Sequence, residues 1–179
     1  MPEPLNKEKI REMLLHVTPD SITEQQRNHI LEQYKLYVEM TDRISDRRQQ
    51  ANTYFLTINT VLVTLAAGFI EFAKLTGAES WWLLGVAAAG WTLCYTWYRL
   101  IESYKQMNSG RFKVIHELER CLPASVYDAE WEALGRGKDP SLYTPFTETE
   151  MKVPVIFGLL YGLVAVFILW NLLGPGTLR

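Results

Sequence analysis

Polar and apolar positions along this chain are segregated rather than mixed. Residues 51–70, 80–98 and 153–173 contain no Asp, Glu, Lys or Arg, so all the charge falls outside 60 of the 179 residues. A bilayer core of about 30 Å is crossed by about 20 apolar helical residues, each rising about 1.5 Å. Each stretch has that length. The pattern predicts an all-α fold: a helical membrane protein with three transmembrane helices, the first two extended into a cytoplasmic antiparallel helical hairpin. Its segments are N-terminal cytoplasmic helices (1–50), transmembrane helix 1 (51–72), an outer turn (73–80) and transmembrane helix 2 (81–100). A cytoplasmic helical extension and loop (101–152), transmembrane helix 3 (153–173) and an outer tail (174–179) follow. A soluble core would need more polar residues to cover three such helices than a chain this short retains.

The periodicity outside the spans is also helical. Asn6 caps a short helix with Ile10, Met13, Leu14 and Val17 on one face, ended by Pro19. Its balanced charge favours packing on other helices over lying on the membrane. Ser21 and Glu24 stand at capping-box spacing, and no Gly or Pro occurs between Pro19 and Gly68. One continuous seam then runs through Ile30, Tyr34, Tyr37, Thr41, Ile44, Arg48, Ala51, Phe55, Ile58, Leu62 and Leu65. The second span leaves the membrane along Leu100, Tyr104, Met107, Arg111, Val114, Leu118 and Cys121, up to Pro123. Two helices joined by a short turn are antiparallel neighbours, so these seams can form a stalk within one subunit. Packing against a second subunit satisfies them equally. Beyond Pro123, VYDAEWEAL is a short helix stopped by Gly135, and GRGKDPSLYTP is a polar loop. Thr147 and Glu150 repeat the capping-box pattern, and Pro154 sits in the first turn of the third span, 153–173, where its missing N–H costs least.

Totals conceal this arrangement: 18 Lys and Arg against 20 Asp and Glu give a net charge of −2. A mean hydropathy of −0.05 suits an ordinary soluble domain. Placement matters more. All but Lys74 and Arg179, 16 of the 18 basic residues, fall on one side of the expected topology. Basic residues stay cytoplasmic, so the N-terminus is expected in the cytoplasm and the C-terminus outside. Tyr54, Trp81, Trp82, Trp97, Tyr98 and Trp170 sit near the expected interfaces. The first 50 residues carry no signal-peptide-like apolar run. The balanced charge argues against nucleic acid as a partner, and two Cys argue against a disulfide framework.

Little catalytic chemistry is available. His16, His29 and His116 lie on charged helices, and neither Cys94 nor Cys121 stands in a nucleophile–base arrangement. His116, Glu117 and Glu119 lack the second His of a zinc helix, and GRGKD lacks the spacing and the Ser or Thr of a phosphate loop. No catalytic, cofactor-binding or metal-ligating residue is assigned, and a non-enzyme is expected. Polar groups inside the first span carry more information. The hydroxyls of Thr57, Thr60 and Thr64 can return to their own backbone, whereas Asn59 should face another helix, as glue or as the lining of a polar path. Gly158, Gly162 and Ala165, with Gly85 and Ala89, mark faces for helix packing or oligomerisation.

SYKQMNSGRFKVIHELERCLPASVYDAEWEALGRGK, with the earlier YKLYVEMTDRISDRRQQANTYFLTINT, resembles bacterial small integral membrane proteins of unknown function. More distantly, the chain is similar to the SLATT membrane effectors of bacterial conflict systems. That likeness implies a membrane hairpin with cytoplasmic helices that oligomerises and breaches the inner membrane when a partner is triggered. The expectation is an oligomerising membrane effector of a defence or stress module, contacting membrane lipid, further copies of itself and a cytoplasmic sensor or partner protein. The rival is an accessory subunit that anchors a soluble partner or supports a larger membrane complex.

Overall fold

The computed structural model describes residues 7–16, 21–73 and 81–173. Asn6, Pro19, most of the outer turn and the tail lie outside them. The described residues form α1 (Lys7–Leu14), α2 (Glu24–Ala73), α3 (Trp82–Glu119), α4 (Val126–Ala133) and α5 (Phe146–Leu173), with a 3₁₀ turn at Gly135–Gly137. No strand occurs among them. The 50 residues of α2 form one helix because nothing in that sequence breaks it.

Two helix starts differ from expectation. The capping box at the start of α2 is Thr23 with Gln26, two residues beyond Ser21 and Glu24. The Thr23 amide donates to Gln26 Oε1 at 2.9 Å, and the Gln26 amide donates to Thr23 Oγ1 at 3.3 Å. Thr-x-x-Gln meets the same rule, and its reciprocal bonds fix the entry. Helix α5 begins at Phe146, so Thr147 lies inside the first turn and Pro154 inside the helix. Pro154 is fully buried. It has no N–H to offer the Glu150 carbonyl.

The chain divides into two compact units: unit 1 is Met1–Arg47 with Tyr104–Pro145, and unit 2 is Arg48–Ser103 with Phe146–Arg179. In unit 1, Ile30 of α2 packs with Leu118 and Cys121, and Leu14, Leu15, Ile22, Tyr34, Val114 and Leu122 surround them. Met13, expected on the apolar face of α1, is exposed, and Val17 lies outside the described residues. After α4 the backbone turns through three left-handed residues, Gly135, Arg136 and Gly137, with φ of 62, 54 and 64°. Glycine suits two of these positions.

Unit 2 is a three-helix bundle. Trp97 of α3 stacks on Phe55 of α2, with ring centroids 5.9 Å apart and planes 8° apart. The α5 face bearing Pro154, Tyr161 and Ile168 is buried. Among the described residues, one segment is long and apolar enough to cross a membrane, the 25 residues Phe146–Trp170. It overlaps the third expected span from 153 to 170, beginning seven residues earlier and ending three residues sooner. In the second expected span Trp and Tyr dilute the apolar average.

The seam has the expected period but a different phase along α3. The buried positions are Leu83, Ala87, Gly90, Cys94, Trp97 and Ile101 in unit 2, and Ile115 and Leu118 in unit 1. Tyr104, Asn108 and Arg111 are half-buried on the same spacing. Met107 is 37% exposed and lies off this line. Adjacent phases differ by a single residue, and the one adopted puts Ile101 and Ile115 inside. On α2, Ile30 and Thr41 are buried, with Tyr34, Tyr37 and Ile44 half-buried along the same line. Higher up, Asn59 itself occupies the seam and Leu65 is 66% exposed.

Candidate functional site

Asn59 is 0% exposed, the most enclosed polar group of unit 2 among the described residues. Its Nδ2 donates to the Phe55 carbonyl at 2.8 Å, a return to its own helix that the sequence reading did not anticipate. Its Oδ1 accepts from Tyr161 of α5 at 3.2 Å and faces Cys94 Sγ of α3 at 3.4 Å. One amide therefore ties all three helices. About two turns along α2, Trp97 Nε1 donates to Asn52 Oδ1 at 2.8 Å. In a water-free interior such groups must find protein partners, and these do.

Small residues permit the close approach. A Cβ built on Gly90 would lie 2.3–2.6 Å from three ring atoms of Tyr161. Only glycine lets the ring rest on the α3 backbone. Gly158 of α5 lies against Cys94 and Trp91, whose nearest atoms are 3.8 and 3.9 Å from its Cβ position. Gly85 and Ala89 are exposed, and nothing stands within 4 Å of a Cβ at Gly85. Gly162 is equally open at its Cβ position; it and Ala165 are half-buried. The expected packing residues thus fall into two groups: Asn59 and Gly158 face inward, and Gly85 and Ala89 face outward. The sequence reading missed Gly90 and Tyr161. Gly90 lies three residues from Ala87 and four from Cys94, on one helical face, and that spacing was the available signal.

The outward faces differ in character. On α5, Val155, Ile156, Leu159, Leu160, Leu163 and Val166 are exposed. On α2, Thr53, Thr57, Thr60 and Thr64 are exposed in one stripe. The last three donate to the carbonyls of Thr53, Leu56 and Thr60, each at 2.8 Å. At the base of the bundle, Arg48 Nε stands 3.7 Å from Glu150 Oε2, and Arg48 Nη1 donates to Thr147 Oγ1 at 3.4 Å.

Unit 1 contains a second polar centre, the carboxylate of Glu119, which is 1% exposed. It accepts from the Tyr34 hydroxyl at 3.1 Å and from the Tyr127 and Asp128 amides at 2.8 and 3.2 Å. Ser125, the residue before α4, makes no side-chain cap bond, so Glu119 caps that helix from a different helix. A carboxylate suits the positive helix end. Desolvation, and then the neighbouring Glu119 charge, push the Tyr34 phenol up to about 12. Burial raises the Cys121 thiol. His116 Nδ1 lies 3.5 Å from Glu119 and 3.9 Å from Asp128. Among the described residues, no three His, Cys, Asp or Glu side chains converge to hold a metal ion.

Residues 31–170 match the model of the octameric membrane protein family, 8xMP. No curated protein and no solved structure matches the chain.

Proposed function

Since the chain belongs to the octameric membrane protein family, we propose that it is a non-enzymatic subunit of a ring in the bacterial inner membrane. In this reading α2, α3 and α5 all cross the bilayer, residues 1–50 and 101–152 are cytoplasmic, and the C-terminus is outside. Three crossings are supported by the packing of α5. Its inward face meets charge-free α2 and α3 at Asn59, Gly90 and Cys94, so helices at the same depth share the same solvent. Orientation is supported by 16 of the 18 basic residues on one side.

A closed ring of identical subunits joins two different faces of each. The three outward faces supply distinct roles. The large aliphatic side chains of α5 face lipid, and Gly85 and Ala89 of α3 meet the neighbouring subunit. The Thr53–Thr64 stripe of α2 faces the ring axis. Three helices cannot enclose a pore alone, so conduction belongs to the assembly. The functional conclusion is a membrane effector of a defence or stress module that permeabilises the membrane when assembled or triggered. The exposed threonine stripe, on a segment free of charge, is the observation that carries it. Native mass spectrometry should find eight copies, and liposomes containing them should release ions or small dyes. Leucine at both Thr57 and Thr60 should reduce that release several-fold without dissociating the ring. If the assembled protein never leaks, with or without a triggering partner, the effector role is wrong.

A second reading is favoured by Leu36 and Met40, four residues apart on α2 and 61% and 50% exposed. Such a pair suits the docking of a cytoplasmic partner, with the membrane part serving as anchor. Leu36→Asp with Met40→Asp should then release a stoichiometric partner.

A further inference from the structure

A groove of about 450 Å³ lies between α3 and α5 in unit 2, lined by Tyr98, Met151, Lys152, Val155 and Ile156. Its walls are almost wholly apolar, and Lys152 and Tyr98 are the lining residues that carry a polar group. Along α5, Lys152 is the last charged residue before the charge-free stretch 153–173, and along α3, Tyr98 ends the charge-free stretch 80–98. The groove therefore straddles, on both helices, the boundary between charged and charge-free sequence. Where three helices cross a bilayer, that boundary is the level of the phospholipid phosphates.

Two neighbouring cations at this level have carboxylate partners. Arg48 stands 3.7 Å from Glu150, and Arg99 donates to Glu102 at 2.6 Å. Lys152 pairs with no carboxylate among the described residues, and its side chain is exposed. A free cation at one end of an apolar groove matches a phospholipid: anionic headgroup first, acyl chain next. Basic pockets between helices on the cytoplasmic side bind anionic headgroups.

We infer that this groove is a binding site for an anionic phospholipid, whose phosphate meets Lys152 and accepts from the Tyr98 hydroxyl. Its acyl chain lies along Met151, Val155 and Ile156. The inference rests on the reading that α3 and α5 cross the membrane side by side.

The test is native mass spectrometry of the full protein, delipidated and then incubated with phosphatidylglycerol or, separately, phosphatidylcholine. Phosphatidylglycerol should be retained at one molecule per subunit, at least fivefold more than phosphatidylcholine. Lys152→Glu should abolish that preference, and Ile156→Trp should displace the lipid by filling the groove. Lys105→Ala, which removes a cation outside the groove, should leave retention unchanged. Equal retention of the two lipids, or an unchanged preference in Lys152→Glu, would overturn the proposal. So would retained lipid together with a dissociated oligomer in Ile156→Trp, because a neighbouring subunit would then occupy the groove. Spin labels on α3 report the side-by-side crossing independently, so its failure is distinguishable from failure of the lipid site.

Discussion

Unit 2 exposes Val155, Ile156, Leu159 and Leu163 while enclosing Asn59, and unit 1 exposes most of its charges, Glu117 and Glu119 apart, while enclosing Ile30, Leu118 and Cys121. Both units are built largely from the same two helices, α2 and α3, on one spacing of four and three residues. Their interiors nevertheless solve different problems. In unit 2 the amide of Asn59 reaches partners on all three helices, and Gly90 admits the Tyr161 ring. On the proposed reading that all three helices cross the bilayer, packing and hydrogen bonds hold the bundle, because in lipid little is gained by hiding apolar surface. In unit 1 a small aliphatic cluster is joined by a buried carboxylate that caps a helix.

The sharpest break in that comparison should come from Glu119. Glu119→Ala leaves the Tyr34 hydroxyl and two α4 amides without their acceptor, at a cost of about 3 kcal/mol. Hydrogen exchange should quicken across α4 and the nearby ends of α2 and α3, with unit 2 unchanged. Gly90→Ala is the counterpart in unit 2. Its methyl meets the Tyr161 ring, and overpacking of this kind costs about 2 kcal/mol. Unfolding in detergent should show the loss, and combining it with Tyr161→Ala should relieve part of it.

Smaller effects sharpen the contrast. Asn59→Ala removes a hydrogen-bonded hub, but hydrogen bonds between membrane helices contribute only about 1 kcal/mol. The same unfolding assay should register a shift smaller than that of Gly90→Ala. The smallest effect is at Tyr34. Its phenol titrates near 10 when unfolded and at about 12 in the fold, so the fold favours the protonated form. That contribution is intact below about pH 10 and is lost as the pH rises through about 12. Tyr34→Phe should flatten the alkaline fall in unit 1 stability measured by circular dichroism.

Much of the fold was legible in the sequence because helical period and charge segregation are local properties. The long helices, their uninterrupted course and the short α4 follow from where Gly, Pro and charge occur. Phase is not local. Met107 and Asn108 lie on adjacent lines of the same pattern, and only the partner helix decides which faces inward. The Thr147–Glu150 pattern placed the start of α5 within two residues of Phe146, but Pro154 was read as a first-turn residue of the span, whereas it lies eight residues inside the helix. At the candidate site, Asn59 was legible as a polar group in need of a partner. Tyr161 was hidden within GLLYG, where the glycines drew the reading. The cap formed by Glu119 joins elements eight residues apart, and the pattern VIHELER contains nothing to announce it.

Spin labels in lipid nanodiscs test the central claim, three helices side by side in lipid. Labels would be placed at Val61 on α2, Trp91 on α3 and Leu160 on α5, with Met40 and Lys113 as unit 1 controls, in a background lacking Cys94 and Cys121. The account predicts that a water-soluble nickel relaxant is excluded from all three bundle sites and reaches both controls. Exclusion at Leu160 with free access at Val61 and Trp91 would contradict it, leaving α5 as the one helix that crosses.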